Sequence, residues 1–556
     1  MVDILGIINE LPSNPSEALI ELNWRISKMV SLFPKSDKKP DSVYSVQMLS
    51  FENKKSYRKP KFDTNTYISH LKSNGKSNGK SKKKKLIPNY KPIFNLWETH
   101  KFNKEWMRIT QEDILTTIKN KDTSDEYGAN FSVLQSLIDL EPKLLDFMVD
   151  CYNRLLDHEI CPEWSSCGII PAHKGGDTMD PNNFRPLTIL PIFVRIWDSI
   201  ISKKLGNLLI NYGIIDTLVQ RGILKGVGGL SQNLTDVNCA MCSMSDDEIC
   251  FFIDITNAYG SVNYGVLSHI LCEYNFSPAL TKYVETYYMN AVASYNDKIF
   301  RWENGLYQGS GLSNVIFLIY MDYALKNVIT DLKMMRIIDF GFDLQKNTRA
   351  FVDDLVMFLP KNSYEGVIKF IQMIFGFYGF EINQKKTYFF MNDAKVGEII
   401  IGDIRFERVH IDFKYLGIEL MCFREEFMRN YQGKIQKYLE EIDSFKINGH
   451  SKLYLYYRRV FQRINRTLKC YYAIFGRSSI MDEIMKFIGY FIYRWTGAFP
   501  SEYLVKHIEY IGKNENNDFS EMVDFRTLFG MENPIDDNDF CEETKSITDP
   551  YLGIRH

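Results

Sequence analysis

Residues 350–358 read AFVDDLVMF, so two adjacent aspartates, Asp353 and Asp354, lie between two short apolar segments. Apolar runs of this length on either side of a polar turn are typical of a β-hairpin, and the pattern predicts both acids at its tip. An Asp-Asp pair also occurs in ordinary solvated turns. Because both flanks are apolar here, we expect a largely buried hairpin whose tip opens onto a cleft.

A third acid follows another β-rich segment. Residues 249–253 read ICFFI and are followed by Asp254, and the pattern changes at residues 257–260, NAYG. Asp254 is therefore predicted to stand at a strand end. If the two strands pair, three carboxylates share one site, and their repulsion is relieved by protonation or by a hard divalent cation. We expect two Mg²⁺ ions, with Mn²⁺ as a substitute, roughly 3.5–4 Å apart and serving nucleotidyl transfer.

The order of the motifs resembles that of reverse transcriptases, most closely the non-LTR retrotransposon type, to which group II intron reverse transcriptases are related. The resemblance covers residues 164–420 and rests on seven ordered segments: CGIIPAHKGGD (167–177) with NFRPL (183–187), QRG (220–222), FIDITNAY (252–259), QGSGLS (308–313), FVDD (351–354), GFEINQKKT (379–387) and FKYLG (413–417). It implies an α+β right-hand polymerase, in which fingers and palm have an antiparallel sheet packed on helices and the thumb is α-helical. The implied activity is RNA-directed DNA synthesis from a 3′-hydroxyl primer.

The resemblance assigns catalytic roles to individual residues. Asp254 and Asp353 would hold both metal ions, Asp354 would be a weaker partner, and the main-chain carbonyl of Ile255 would be a further oxygen ligand. Lys386 would donate a proton to the departing pyrophosphate. The alternatives are solvated turn acids and an ordinary surface lysine.

A nucleotide site is implied as well. Lys174 and Arg185 would reach the triphosphate, lysine as a point charge and arginine as a bidentate fork, and a solvated basic loop is the alternative. The ring of Tyr259 would collide with a 2′-hydroxyl and so select deoxynucleotides, unless it is an ordinary core tyrosine. RNA-dependent RNA polymerases have an acidic residue at this position.

Gln308 and Gly309 begin a loop that precedes an apolar helix predicted over residues 315–325. The resemblance places this loop beside the template base and nucleotide, where glycine permits close backbone approach, and a plain loop is the alternative. Relatives usually carry proline where Gly311 and Asn314 stand in this chain.

Length and composition fit a multi-part intracellular enzyme, since 556 residues that are 45% hydrophobic can bury a sizeable core. We expect no membrane partner, because no run of eighteen apolar residues and no signal-peptide pattern occurs. Ten scattered cysteines suggest free thiols in a reducing compartment. Cys239 and Cys242, with Cys250 nearby, could form half a zinc site, but the absence of a second pair favours buried helix thiols.

Charge is segregated along the chain. The formal net charge is −2, yet residues 513–556 hold eleven acids against four Lys or Arg, while residues 72–85 contain seven lysines. The lysine run is predicted to be a disordered linker, either plain, or acting as a phosphate-binding tether or nuclear import signal. The acidic tail could be disordered, autoinhibitory or a docking site.

Residues 446–477 are predicted to be helical. Aromatic and basic residues alternate there, and spacings of three and four place several of the bases on one face: the bases are Arg458, Arg459, Arg463, Arg466 and Lys469, and the aromatics are Tyr456, Tyr457, Phe461, Tyr471 and Tyr472. Such a face suits a thumb helix that grips the phosphates of a primer–template duplex, with an ordinary basic surface helix as the alternative.

Six parts are predicted: a helical N-terminal extension (1–71), a Lys-rich disordered linker (72–92), a helical segment leading into the fingers (93–163), fingers and palm (164–412), primer grip and helical thumb (413–500), and an acidic tail (501–556). Expected partners are an RNA template, a DNA or RNA primer and dNTPs. If the enzyme inserts DNA into a genome, a separate nuclease must nick the target or a free 3′ end must be found, because about 160 residues before the fingers leave no room for an endonuclease domain. Two rival classes stay open, an RNA-templated RNA polymerase and a non-catalytic, maturase-like RNA-binding protein.

Overall fold

The computed structural model describes residues 4–32, 59–74 and 104–496, with short gaps at 120, 122, 126, 225–228, 335–343, 394, 403, 411–412, 421–423 and 476–478. The lysine run beyond residue 74 and the acidic tail, residues 501–556, lie outside the described residues. Their predicted roles stay predictions.

Helices account for most of the described chain. In order they are α1 (Ile4–Asn9), α2 (Pro15–Leu32), α3 (Thr64–Asn74), α4 (Gln111–Ile118), α5 (Phe131–Leu140), α6 (Lys143–Arg154), α7 (Ile192–Asn211), α8 (Gly229–Cys242), α9 (Tyr264–Glu273), α10 (Pro278–Met289), α11 (Gly311–Met334), α12 (Leu344–Asn347), α13 (Tyr364–Phe377), α14 (Arg424–Ser444), α15 (Gly449–Leu455), α16 (Gln462–Phe475) and α17 (Ser479–Thr496). Some starts show ordinary side-chain capping: Thr110 and Asp113 form a reciprocal capping box at α4, and the Asn130 side chain caps α5.

Strands form two main sheets. They are β1 (Ser166–His173), β2 (Phe184–Ile189), β3 (Glu248–Ile253), β4 (Val292–Tyr295), β5 (Lys298–Arg301), β6 (Thr348–Phe351), β7 (Asp354–Pro360), β8 (Tyr388–Phe390), β9 (Glu398–Ile401), β10 (Ile404–Arg408), β11 (Lys414–Tyr415) and β12 (Ile418–Glu419). The fingers sheet has the order β2-β1-β4-β5, and the palm sheet has the order β6-β7-β3-β8-β10-β9. The strands β11 and β12 pair as a small separate sheet at the predicted primer grip.

The palm sheet separates two apolar clusters because side chains alternate along its strands. On β3, Ile249, Phe251 and Ile253 belong to the larger cluster, called here the palm core, which extends into the fingers and the N-terminal helices. Cys250 and Phe252 belong to the second cluster, called here the thumb core, which also contains residues of α8 and of α14–α17. Full burial of one such large side chain contributes about 1.5–3 kcal/mol.

Helix α11 passes through the palm core. Its window Gly311–Ile329 is long and apolar enough to cross a membrane by length and composition, but 89% of that window is buried inside the protein. The Tyr320 hydroxyl donates a hydrogen bond to the carbonyl of Tyr378 at 2.7 Å. The helix predicted over residues 315–325 is therefore confirmed, with wider bounds, as a core helix.

Helix α3 packs on the fingers. The Asn296 side chain donates to the Thr64 hydroxyl at 3.0 Å, and Lys298 Nζ donates to Asn65 Oδ1 at 2.6 Å. Buried Tyr67 meets Tyr295 edge-on, with ring centroids 5.1 Å apart. The helix ends at residue 74, so residues 72–74, predicted to be disordered, are helical. The other predicted boundaries stay predictions.

The thumb is helical, as predicted, but its helix is interrupted. A π-helical stretch, Tyr456–Phe461, separates α15 from α16. Tyr456 and Tyr471 are buried, and Phe461 and Tyr472 pack against the thumb core. The side chains of the five thumb bases and of Tyr457 lie outside the described part of the structure, so the phosphate grip stays a prediction.

Candidate active site

The predicted hairpin is present in the palm. Strands β6 and β7 pair antiparallel with Phe351 opposite Asp354, so Val352 and Asp353 form a two-residue turn. Asp353 lies at the tip, as predicted, whereas Asp354 is already the first residue of β7. Val352 has φ +62°, which matches the first central residue of a type II′ turn, a position usually occupied by glycine.

The first acid meets this hairpin through the register of the palm sheet. Strand β3 pairs antiparallel with β7, and Ile253 lies opposite Leu355. Asp254 directly follows Ile253, and Asp354 directly precedes Leu355, so both acids leave the sheet at the same end. The strand pairing expected from the sequence is confirmed.

The segment at residues 379–387 fixes the backbone around the first acid. The Asn383 N–H donates to the Asp254 carbonyl at 2.8 Å, and the Asp254 N–H donates to the Thr387 hydroxyl at 3.3 Å. Ile255 forms an isolated antiparallel bridge with Ile382. The bonds that flank this bridge use the Asp254 carbonyl and the Thr256 N–H, so the Ile255 carbonyl, a predicted metal ligand, takes no part in them.

The three carboxylates perturb one another. Burial raises the pKa of Asp354 to about 7, and the charges of Asp353 and Asp254 add to this effect. Burial also raises the pKa of Asp353, with a further contribution from Asp254. For Asp254 burial raises the pKa, while Lys386 and a hydrogen bond with Asn383 counteract it. The site therefore favours protonation or a neighbouring cation.

Three predicted cations surround the acids. Lys386 and Arg185 lower the pKa of all three carboxyls, and Lys174 lowers that of Asp254. The pKa of Lys174 is itself lowered, first by partial desolvation and then by Arg185 and Lys386. The structure thus brings Lys174, Arg185 and Lys386 into one electrostatic neighbourhood with the acids.

The acids do not by themselves form a closed metal cage. Among the described residues, no three His, Cys, Asp or Glu side chains converge closely enough to hold an ion. Mg²⁺ is commonly held by one or two carboxylates together with substrate phosphates and waters. Asp254 and Asp353 repel each other, and cations suited to phosphate lie in their electrostatic neighbourhood. This arrangement fits a divalent ion whose coordination shell is completed by phosphate oxygens of the substrate.

Tyr259, the predicted sugar gate, packs against the palm core and is held there by two contacts. Its ring stacks on Phe317 with centroids 4.6 Å apart, and its hydroxyl donates to Asn314 Oδ1 at 2.8 Å. It is partly buried, and its pKa is raised by burial and by the charge of Asp353. Asn314 thus orients the candidate gate.

Gln308 and Gly309 attach to the edge of the fingers. The Gln308 carbonyl accepts hydrogen bonds from the Thr188 N–H at 2.7 Å and from its hydroxyl at 3.1 Å. Gly309 has φ +135°, and a Cβ there would lie 2.6 Å from the Thr188 carbonyl oxygen. The backbone of Thr188 therefore by itself requires glycine at this position, and the predicted approach to the template or nucleotide stays a prediction.

Sequence reasoning missed Asp198, an acid of α7 that is 1% exposed. Ser310 Oγ donates to Asp198 Oδ2 and accepts the Ser313 N–H at 3.2 Å, so this acid holds the start of α11. Burial raises the pKa of Asp198 to about 7, although the Ser310 hydrogen bond lowers it. A lone acid within the apolar run IFVRIWDSII was the available signal.

The cysteine prediction is partly wrong. Cys239 and Cys242 lie on α8, but both are exposed rather than buried. Leu234, Val237 and Met241 occupy the face of α8 that packs on the thumb core, which leaves the cysteines outside it. A zinc site gains no support, since the described residues contain no metal-ligating cluster.

A family model described as "Reverse transcriptase (RNA-dependent DNA polymerase)" matches residues 172–420. The chain carries a reverse transcriptase domain. The matched residues contain all three acids, all three cations and the Gln308 loop, and the α+β right-hand fold inferred from the resemblance is confirmed. Reverse transcriptases generally use divalent metal ions and a nucleic-acid template and primer.

Curated relatives point to the non-LTR type of reverse transcriptase. The Retrovirus-related Pol polyprotein from type-1 retrotransposable element R2 of Nasonia vitripennis is 26% identical over 190 residues, covering 32% of this chain and 18% of the relative. The probable RNA-directed DNA polymerase from transposon BS of Drosophila melanogaster is 23% identical over 167 residues, covering 29% and 18%. The match thus spans less than a fifth of the length of these relatives.

A solved structure, telomerase from Candida albicans in complex with a fragment of telomeric RNA, is 14% identical to this chain. The alignment covers 70% of this chain and 71% of that one, with a TM-score of 0.37.

Proposed function

We propose that this chain extends the 3′-hydroxyl of a DNA or RNA primer with dNTPs on an RNA template, using divalent ions, Mg²⁺ foremost. The observation that carries the proposal is the register of β3 against the hairpin of β6 and β7, which gathers Asp254, Asp353 and Asp354 at one end of the palm sheet. Acids gathered in this way, with cations beside them, suit nucleotidyl transfer.

Each residue has a role that its position supports. Bound at Asp254 and Asp353, with the Ile255 carbonyl as a further ligand, two divalent ions would activate the primer hydroxyl and stabilise the leaving pyrophosphate. Lys174 and Arg185 would orient the triphosphate, because both lie within the electrostatic reach of the acids.

Four more residues complete the proposed reaction. Lys386 would protonate the departing pyrophosphate, since its charge acts on all three carboxyls. The ring of Tyr259, fixed by Phe317 and Asn314, would exclude a ribose 2′-hydroxyl. Gln308 and Gly309, joined to Thr188 of β2, would border the template.

Primer extension on poly(rA) with oligo(dT) tests the proposal. The wild-type chain should incorporate dTTP in the presence of Mg²⁺, and Asp353→Asn should abolish incorporation because a neutral amide is a poor ligand for a hard cation. Asp247→Asn is the matched control, since this exposed acid lies just before the other end of β3. Equal incorporation by the wild type and Asp353→Asn would refute metal catalysis at the hairpin.

The same assay separates the rival classes. An RNA-templated RNA polymerase would incorporate UTP at least as well as dTTP, and a non-catalytic RNA-binding protein would incorporate neither. Replacing poly(rA) by poly(dA) measures how far the activity depends on an RNA template. A separate nuclease and an intracellular location stay predictions from the sequence.

A further inference from the structure

Gln220 contacts the turn of the catalytic hairpin from a segment 132 residues away in sequence. Its Oε1 accepts the Val352 N–H at 2.8 Å, and its Nε2 donates to the Val352 carbonyl at 3.1 Å. Gln220 is 2% exposed, so water does not compete for these bonds. Both polar groups of one turn residue are therefore held by one buried amide.

The neighbouring backbone strengthens this contact. The Ala350 N–H donates to the Val219 carbonyl at 2.8 Å, and the Arg221 N–H donates to the Ala350 carbonyl at 2.9 Å. The Gly222 N–H donates to Gln220 Oε1 at 3.0 Å. Residues 219–222 thus run beside β6 and present the Gln220 amide to the turn.

Val352 has a backbone conformation that is unfavourable for its residue type. Val352 is β-branched and has φ +62°, where glycine is the usual residue. A strained backbone of this kind persists only when its surroundings over-determine it, and such strain is concentrated at functional sites. Asp353 follows Val352 directly, so the same dihedral angles decide where its carboxylate points.

Gly222 has a matching structural reason. A Cβ on Gly222 would lie 2.6 Å from both the backbone nitrogen and Cγ2 of Val352. The glutamine and the glycine of the QRG segment therefore serve the same turn, one by hydrogen bonding and the other by leaving room.

We propose that Gln220 is a positioning residue for polymerisation: its side-chain amide holds the strained Val352-Asp353 turn and thereby fixes the direction of the Asp353 carboxylate. This inference rests on the proposed function, because it assigns Asp353 a role in metal binding. Gln220 acts through Val352 and is assigned no direct contact with substrate or ion. Loss of the amide should let the turn relax and misplace Asp353 while the nucleotide contacts at Lys174 and Arg185 persist.

The test compares Gln220→Ala, Gln220→Glu, Val352→Gly and Gln220→Ala/Val352→Gly in dTTP incorporation on poly(rA) with oligo(dT). Gln220→Ala should lower kcat about 100-fold, as small displacements of catalytic groups do, with KM for dTTP nearly unchanged. Gln220→Glu keeps the hydrogen-bond acceptor but loses the donor, so its kcat should lie between that of the wild type and that of Gln220→Ala. Glycine adopts positive φ without strain, so Val352→Gly should restore much of the kcat lost in Gln220→Ala.

Asn238→Ala is the matched control, because Asn238 is also a buried amide, whose Nδ2 donates to the Leu234 carbonyl at 2.8 Å within α8. Its kcat should stay close to that of the wild type. The proposal is wrong if Gln220→Ala lowers kcat no more than Asn238→Ala does, or if Val352→Gly deepens the loss instead of reversing it.

Amide hydrogen exchange gives a readout that does not depend on activity. Exchange at Val352 should accelerate in Gln220→Ala and stay unchanged in Asn238→Ala, and unchanged exchange in both would overturn the proposed contact. Only the positioning role fails if three results occur together: the wild type polymerises, Asp353→Asn does not polymerise, and Gln220→Ala is as active as the wild type. If the wild type itself is inactive, the proposed function fails, and exchange at Val352 still tests the contact.

Discussion

Two aspartates of this protein, Asp354 at the candidate active site and Asp198 in the core, both have a pKa raised to about 7. Burial is the main cause in each case. Asp354 also faces two like charges, from Asp353 and Asp254, and two cations that partly offset them. Asp198 is relieved by hydrogen bonding, chiefly from Ser310, and its Oδ1 has no hydrogen-bond partner among the described residues.

The difference shows that a raised carboxyl pKa alone does not identify a catalytic acid. What distinguishes the candidate active site is repulsion between its carboxylates, which an added cation would relieve. Asp198 instead supports the start of α11 through Ser310. The two sites should therefore respond differently to substitution, to metal and to pH.

The largest difference is expected when each site loses one charge. Asp254→Asn removes a proposed metal ligand and should lower kcat about a thousandfold, since a lost ligand costs several kcal/mol in the transition state. Asp198→Asn keeps an acceptor for Ser310 and should change kcat only a few-fold. Steady-state dTTP incorporation by both variants measures this, and equal losses would erase the distinction.

Removing a cation from the candidate active site should have a second, smaller effect on kcat. Lys386→Ala should lower kcat about 100-fold through loss of general-acid catalysis. Because Lys386 lowers the pKa of all three acids, the acidic limb of the pH–rate profile should move to higher pH. Lys385→Ala, which changes the adjacent exposed lysine, is the control. If Lys386→Ala leaves the pH–rate profile unchanged, Lys386 does not lower the pKa of the acids that control the rate.

Each site also has a tyrosine beside it. Burial and then Asp353 raise the pKa of Tyr259, and burial and then Asp198 raise that of Tyr287. Tyr259→Ala should reduce the preference for dTTP over UTP about 30-fold, a size typical of pocket-shape discrimination. Tyr259→Phe keeps the ring and should keep the preference. If Tyr259→Ala is as selective as the wild type, Tyr259 is not the gate.

The smallest effect concerns stability. A carboxyl whose pKa is raised on folding binds its proton more tightly in the folded state, so its contribution to stability falls as pH rises from about 4 to about 7. Asp198→Asn should remove part of this fall and raise Tm by a few degrees at pH 8. Excess Mg²⁺ should offset the loss of stability that comes from Asp354 but not the loss that comes from Asp198. Thermal melts with and without Mg²⁺ would show whether the two separate.

Much of the fold could be predicted because its signals are local. The apolar runs around Asp254 and the Asp353-Asp354 pair gave the strands, and their acidic ends implied the pairing that β3 and β7 confirm. The exposure of Cys239 and Cys242 was predictable too, because the helical phase of α8 places Leu234, Val237 and Met241 on the buried face.

The support of the site could not be predicted in the same way. Gln220 meets Val352, and Gly309 meets Thr188, across more than a hundred residues of sequence. Such contacts produce no periodic pattern. Strain at Val352 is invisible as well, since valine is an ordinary strand residue and only the turn reveals its positive φ.

The alternation of side chains on β3 has a practical consequence for expressing the reverse transcriptase domain. A protein trimmed to residues 172–420 would lose the N-terminal helices that contribute to the palm core, and it would also lose α14–α17, which cover Cys250 and Phe252 from the other side. The uncovered apolar faces would promote aggregation. Soluble material for crystallisation or assay should therefore keep the N-terminal helices and extend through residue 496.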